Sequence, residues 1–224
     1  AYEDVLRAVT FRHSGEMPSH QQADMSIEFT VCHAAFCTTS AMCVKVSAVN
    51  DFPVVSGLAS ELAYTQGAVP VHLAAGVVLS DAESDNLVHA TVGITPILGG
   101  DVLEVTGEFA SIQSSYSAAT GTLTLQGTAS LLQHELAVRS ITFANQGSST
   151  PGTSARSIAV AVKDAKGGSS ASNPTVTVRF CAAAGGFEDT SVAIARACPA
   201  GQSQPLACQT SCVKCSAGSF GEGQ

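Results

Sequence analysis

Sulfur and oxygen carry most of the chemistry this chain offers. Its eight cysteines fall into two groups, Cys32, Cys37 and Cys43, then Cys181, Cys198, Cys208, Cys212 and Cys215, with none in the long stretch between. That spacing suits disulfides formed in an oxidising compartment around a central portion with enough core to need no bridges. Cys32 and Cys43 flank a hairpin loop and could bridge its two strands, leaving Cys37 at the tip, free or bound elsewhere. Cys212-x-x-Cys215 has a rival reading as half a zinc site or a redox pair, but no second CxxC or His pair completes it. Oxygen ligands cluster at a joint. In SAVNDFPVV, Ser47 to Val55, an alternating run that includes Val44 and Val46 ends, and Asn50, Asp51 and Pro53 take turn positions. Pro53 lacks an N–H and confines Phe52 to extended geometry, so the linker is predicted to be short and stiff. Asn50 and Asp51 put oxygens at this seam, where a hard cation could bind two bodies together.

Other chemistries find little support. The six histidines are scattered and unframed by carboxylates, and no GxSxG, P-loop, HExxH or Rossmann fingerprint occurs, so no catalytic residue is nominated. A net charge of −8 with only 10 lysines and arginines, spread along the chain, argues against nucleic acid as a partner. No run of about 18 apolar residues could span a bilayer, so this stretch has no transmembrane segment. The start, Ala1-Tyr2-Glu3-Asp4, is neither an initiator Met nor a signal peptide. The chain therefore reads as an interior piece of a longer extracellular or surface-tethered protein, with further domains on both sides.

The elements that must position these residues are strands. Charged residues make up 12% of the chain and aromatics 5%, with no Trp, so the solvated faces are built of Ser, Thr, Gly and Gln, as in secreted β-proteins. A repeat organises them. YEDVLRAVTF, Tyr2 to Phe11, returns as HELAVRSITF, His134 to Phe143, and one constant offset pairs Glu3 with Glu135, Arg7 with Arg139, Thr10 with Thr142 and Phe11 with Phe143. Ile27, Phe29 and Val31 answer to Ile158, Val160 and Val162 one residue out of step, and Val44 and Val46 answer to Val176 and Val178 back in step. A repeat of this length is a domain rather than a solenoid unit. Residues 1–49 are thus the second half of a unit whose whole version spans 50–180.

Within that whole unit, Val71, Leu73, Val77 and Leu79 mark one strand, and Leu87 to Thr95 mark another with Val88, Ala90, Val92 and Ile94 on one face. Ser115 to Leu125 predicts a hairpin turning at Thr120-Gly121. Ser130 can cap a short helix to Arg139, with Leu131, Leu132, Leu136 and Val138 inward and Glu135 and Arg139 paired. Alternating strands over 155–164 and 174–180 close the unit. About seven short strands with little helix predict an all-β fold, an antiparallel sandwich.

Several separated motifs, LSDAESDNLVHATVGI, GDVL, YSAATGTLTLQGTAS, LAVRSITF, ARSIAVAVKD and VNDFP, resemble the cadherin-like tandem repeats of large surface and adhesion proteins. The resemblance covers 50–180 throughout and implies tandem Greek-key β-sandwiches. It also implies calcium ligands: Asn50 and Asp51 in the linker, Asp81 and Glu83 in DAESDN, and Asp164 in VKDAKGG, meeting at one pole, with Asp85 and Asn86 as weaker candidates. Phe52, Gln66 and His33 stand where the family pattern carries a ligand, so one ion or none is the expected range. Residues 181–224 resemble the start of an ephrin-receptor-like cysteine-rich module, which is too small to fold without disulfides. There Cys215 is expected to lack its partner. The implied function is non-enzymatic: a calcium-stiffened structural or adhesive module that binds other proteins, copies of itself included. The alternatives are a ligand-binding receptor ectodomain and a subunit of an extracellular or ciliary fibre.

Overall fold

Strands dominate the residues the structure describes, which are 2–12, 24–46, 49–65, 67–83, 85–147, 154–181, 186–189, 194–199, 202–203 and 211–214 of a computed structural model. The chain separates into two units, Ala1–Asp51 and Phe52–Gln224.

In the first unit a short helix, α1 (Tyr2–Arg7), precedes two ten-residue strands, β1 (Asp24–His33) and β2 (Phe36–Lys45). The strands pair antiparallel about a two-residue turn, with His33 opposite Phe36 and Ala34 at a φ of 53°. That turn sets the register for the whole hairpin. It puts Met25, Ile27, Phe29 and Val31 on one face with Val44 and Met42, and Ser26, Glu28, Thr30 and Cys32 on the other. The Thr30 and Thr39 hydroxyls meet at 2.8 Å on the polar face. Glu3 and Arg7 pair at 2.7 Å on the surface of α1, where solvent screening leaves little stability.

The second unit holds β3 (Val54–Ser56), β4 (Glu61–Thr65), β5 (Val71–His72), β6 (Val78–Ser80), β7 (Leu87–Thr95), β8 (Asp101–Val105), β9 (Gln113–Ser117) and β10 (Thr122–Ala129). Then come α2 (Leu131–Arg139), β11 (Ile141–Asn145), β12 (Arg156–Asp164) and β13 (Thr175–Cys181). A six-stranded sheet runs β4-β13-β12-β7-β10-β9, a three-stranded sheet runs β5-β11-β8, and β3 pairs with β6. Their inner faces share one core. Leu123, Ile158, Val160 and Val176 of the large sheet pack with Leu103, Ile141 and Phe143 of the small one. Tyr64, Phe143 and Phe180 meet edge to face with centroids 5.1 to 5.9 Å apart, a favoured aromatic geometry. Beyond Cys181, β14 (Gly186–Asp189) pairs with β15 (Ile194–Ala197), and β16 (Gln202–Ser203) with β17 (Val213–Lys214).

The fold is all-β, as the strand count predicts, and its details depart from the sequence reading at four places. β13 and β4 run parallel, so the large sheet is mixed. The expected strand over 71–79 is two strands, β5 and β6, in different sheets, because a turn with a hydrogen bond from Val77 N to Ala74 O redirects the chain. In β7 the register shifts against both neighbours between His89 and Leu87, so Leu87 is buried and Val88 only half-buried. The predicted helix forms and Ser130 caps it, accepting from Gln133 N at 3.3 Å. Its buried face, however, is His134, Ala137 and Val138, while Leu132 and Leu136 are exposed. Two side chains fix that rotation. Glu135 accepts from Leu79 N at 2.9 Å, and Arg139 donates to the Val77 carbonyl at 2.9 Å while pairing with Glu135 at 2.8 Å. The bulge in β10 beside α2 depends on Gly127, whose φ is 148° and where a Cβ would collide with the Ser111 carbonyl.

Candidate functional site

The loop from β6 to β7 gathers carboxylates. Asp81, Glu83 and Asp85 can each turn one ligand atom to within 4.8 Å of the others, and all three are half-buried. The gathering starts from the backbone: Asp81 Oδ1 accepts from Glu83 N at 3.0 Å and from Asp85 N at 3.1 Å, which curls the loop around one carboxylate. Asp81 Oδ2 is shut off from solvent and has no hydrogen-bond partner. Carboxylates this close repel one another unless a cation or a proton intervenes. One cation belongs to the protein itself. Lys166 Nζ lies 2.9 Å from Asp85 Oδ2, and the hydrogen bond to Asp85 raises the Lys166 pKa, with Glu83 and Asp81 adding to the effect.

Asp164, expected among the metal ligands, also shapes its own turn. Its side chain is fully buried, and Oδ1 accepts from Lys166 N and Gly168 N, both at 2.8 Å. Those bonds shape the turn after β12, which also donates from Ala165 N to the Asn86 carbonyl at 2.8 Å. Asp164 therefore lies outside the carboxylate cluster and holds the turn that carries Lys166 to it. Asp85 enters the cluster in its place. Asn50 and Asp51 fall in the first unit and the cluster in the second. Gln66 lies outside the described residues.

The register of β1 and β2 settles the first disulfide. Cys32 stands directly opposite Cys37, and the two are bonded. The sequence left a Cys32–Cys43 bridge open, but Cys43 sits far down β2 opposite Ser26 and is a free, exposed thiol. Cys181 is disulfide-bonded, and Cys198 is bonded to Cys212, which removes the Cys212–Cys215 redox pair from consideration. Cys208 and Cys215 lie outside the described residues.

Sequence reasoning passed over a polar group in the core. Arg156 on β12 meets Asp101 on β8, and its guanidinium also lies 3.9 Å from the centroid of Phe180. Asn145 donates to Asp101 Oδ1 at 2.8 Å and to the Gly99 carbonyl at 3.2 Å, and its own N–H donates to the Tyr64 hydroxyl at 3.1 Å. Tyr116 donates to the Asp101 carbonyl at 2.9 Å, and burial, then the Asp101 charge, raises its pKa. Strand alternation could have flagged Arg156, since it shares a face with the buried Ile158 and Val160.

A cavity of about 500 Å³ opens beside Val105, Phe109, Ile112 and Leu125, with Glu108 and Ser114 as its polar side chains. Among the described residues no helix is long and apolar enough to cross a membrane. No protein-family model matches the chain, and no curated protein matches it.

Proposed function

We propose that this chain is a non-enzymatic structural and adhesive module of an extracellular protein, a tandem of cadherin-like sandwiches stiffened by calcium and followed by a disulfide-bonded module. The observation that carries the reading is a doubled unit: α1 with its Glu3–Arg7 pair leads into β1 and β2, as α2 with its Glu135–Arg139 pair leads into β11, β12 and β13. Repetition of a β unit along one chain is how rods and adhesive stalks are made. The Cys32–Cys37 and Cys198–Cys212 bridges support an oxidising compartment.

Calcium fits the carboxylate loop by charge. Asp81, Glu83 and Asp85 bring three negative charges and Lys166 returns one positive, so the loop retains the charge that a divalent ion neutralises. Asp81 would contribute its unpartnered oxygen, with Glu83 and Asp85 beside it, and the bound ion would supply cross-linking rather than catalysis. With an affinity of about 0.1 mM against extracellular calcium of about 1 mM, binding contributes about 1.4 kcal/mol, enough to stiffen a loop but not to fold a domain. Small-angle scattering of the full chain with calcium and with chelator, alongside aggregation of beads coated with it, tests the proposal. Calcium-dependent dimensions and clustering beads are expected. Identical scattering and dispersed beads under both conditions would refute it.

A further inference from the structure

The sandwich of the second unit is open along one side. There β9 ends the large sheet and β8 ends the small one, and among the described residues β9 is paired on one side only, with β10. Tyr116 of β9 bridges the gap at one end, its hydroxyl donating to the Asp101 carbonyl of β8 at 2.9 Å. The cavity of about 500 Å³ is lined from both edges, by Val105 of β8 and Ser114 of β9, with Leu125 of β10 behind them. Ser114 explains the space. It stands opposite the buried Leu125 and shares that inward face with Tyr116, so a hydroxymethyl group occupies a position where inner faces of sandwiches place large apolar side chains.

The backbone of this edge is available too. Ile94 N donates to the Gly121 carbonyl at 2.9 Å, which makes these two a hydrogen-bonded pair at the start of the β7–β10 ladder. Alternation along β10 then turns Leu123 and Leu125 toward β7, and Thr122, Thr124 and Gln126 toward β9. The residues opposite the latter three on β9 are Ser117, Ser115 and Gln113, so Ser114 and Tyr116 direct their backbone N–H and C=O groups outward from the sheet. No proline and no charge in Gln113–Ser117 blunts this row. A strand laid against it places the side chain opposite Ser114 on Ser114's own face, at the cavity. Charge is one-sided as well: residues 46–138 contain no lysine or arginine, and Glu108 at the cavity and Glu104 on β8 are exposed.

We propose that β9 and the cavity beside it form a peptide-docking site. Its occupant is an extended segment of another protein that pairs with the backbone of Ser114 and Tyr116, inserts a bulky apolar side chain into the cavity, and carries a lysine or arginine for Glu108. The main-chain ladder gives such a complex affinity, and the cavity gives it selectivity. A small apolar molecule fills the cavity but leaves the outward row of Ser114 and Tyr116 unused. A second copy of this chain, with a net charge of −8, brings the wrong sign to Glu108. The proposal rests on the edge and the cavity of the second unit, and not on calcium or adhesion.

The test starts from a phage library of random dodecapeptides selected on the immobilised full chain. Enrichment is expected for peptides that set a leucine, phenylalanine or other bulky apolar residue close to a lysine or arginine. A synthetic copy of the most enriched peptide is then the probe for calorimetry and for hydrogen exchange read by mass spectrometry. Ser114→Leu, which fills the cavity, is expected to weaken probe binding at least about tenfold while melting no lower than the parent. Glu108→Lys lies on the surface and gives a reading whatever Ser114→Leu does to folding; it should weaken the probe several-fold at low ionic strength and less in high salt. Bound probe should slow exchange across 113–117. A library with no enriched peptide overturns the proposal, as does a probe that both variants bind as tightly as the parent. Binding that leaves exchange across 113–117 unchanged overturns it by removing the strand pairing. Protection of 113–117 that rises with protein concentration in the absence of probe overturns it as well, by making a second copy the occupant.

Discussion

Arg156 and Asp101 face each other from opposite sheets with both side chains closed to solvent, joined at 3.0 Å through Nε and Oδ2 and at 3.3 Å through a terminal nitrogen and Oδ1. The pair ties β12 to β8 inside the core, where the low dielectric makes an unpaired charge costly. Its geometry is the two-point fork that a guanidinium offers a carboxylate and an ammonium cannot.

Arg156→Met should therefore destabilise the second unit by about 3–5 kcal/mol, because it leaves Asp101 buried and unpaired. Adding Asp101→Leu should recover most of that loss, since removing both charges also removes the cost of burying them. Urea denaturation of the two single variants and the double variant measures the cycle. A double variant no more stable than Arg156→Met would show that the charges are not the source of the loss.

His134 predicts acid sensitivity. It is fully buried in the first turns of α2, its Nε2 donates to the Gly127 carbonyl at 2.9 Å, and its Nδ1 has no hydrogen-bond partner. Burial lowers its pKa below the ordinary 6.5; the Gly127 and Leu87 carbonyls oppose the shift, and His89 from β7 adds to it. Among the described residues of β6 and β10, which also pack on α2, none is titratable. The sign follows from which state takes the proton first. The unfolded chain charges its imidazole near pH 6.5, before the folded one does, so stability is full above that pH and falls as the pH drops below it. The slope from this one group is at most about 1.4 kcal/mol per pH unit. Melting temperatures from pH 7.5 to 5 should fall for the native chain and fall less for His134→Phe.

Lys166 is the built-in competitor of any cation at the carboxylate loop. Lys166→Gln should raise calcium affinity several-fold at low ionic strength, by deleting one like charge within a few Å of the ion, and the gain should shrink in high salt. Titration calorimetry at two salt concentrations checks both statements. Asp81→Asn should weaken binding. Asp164→Asn should act more weakly and indirectly, through the turn that presents Lys166.

The thiol map is sharper still. In the native protein, alkylation followed by peptide mapping should label Cys43 and leave Cys32 and Cys37 unmodified. Cys37→Ser should free Cys32 without creating a Cys32–Cys43 bridge. The register places Cys43 opposite Ser26, six residues along the strand from Cys32, farther than a disulfide can reach without backbone movement.

Period and punctuation were legible in the chain before any coordinates. Alternation marks β7, β12 and β13 to within a residue of their ends, Thr120-Gly121 places the turn between β9 and β10, Ser130 caps α2, and the recurrence of Glu-x-x-x-Arg before a Thr-Phe pair exposes the repeat. These signals are local, written in spacings of two to four residues, and local sterics and hydrogen bonding enforce them wherever the chain goes. What tertiary structure decided depends on distance through space. No spacing states that Arg156 meets Asp101, that Lys166 settles on Asp85, or that Asp164 Oδ1 accepts from the backbone of its own turn. The rotation of α2 belongs with these: its leucines look like an inward stripe until Glu135 and Arg139 bind the backbone at Leu79 and Val77, and His134 is turned into the core. The first disulfide marks the boundary between the two, because a two-residue turn at Ala34, a local event, fixed a register that only pairing across strands could convert into Cys32–Cys37.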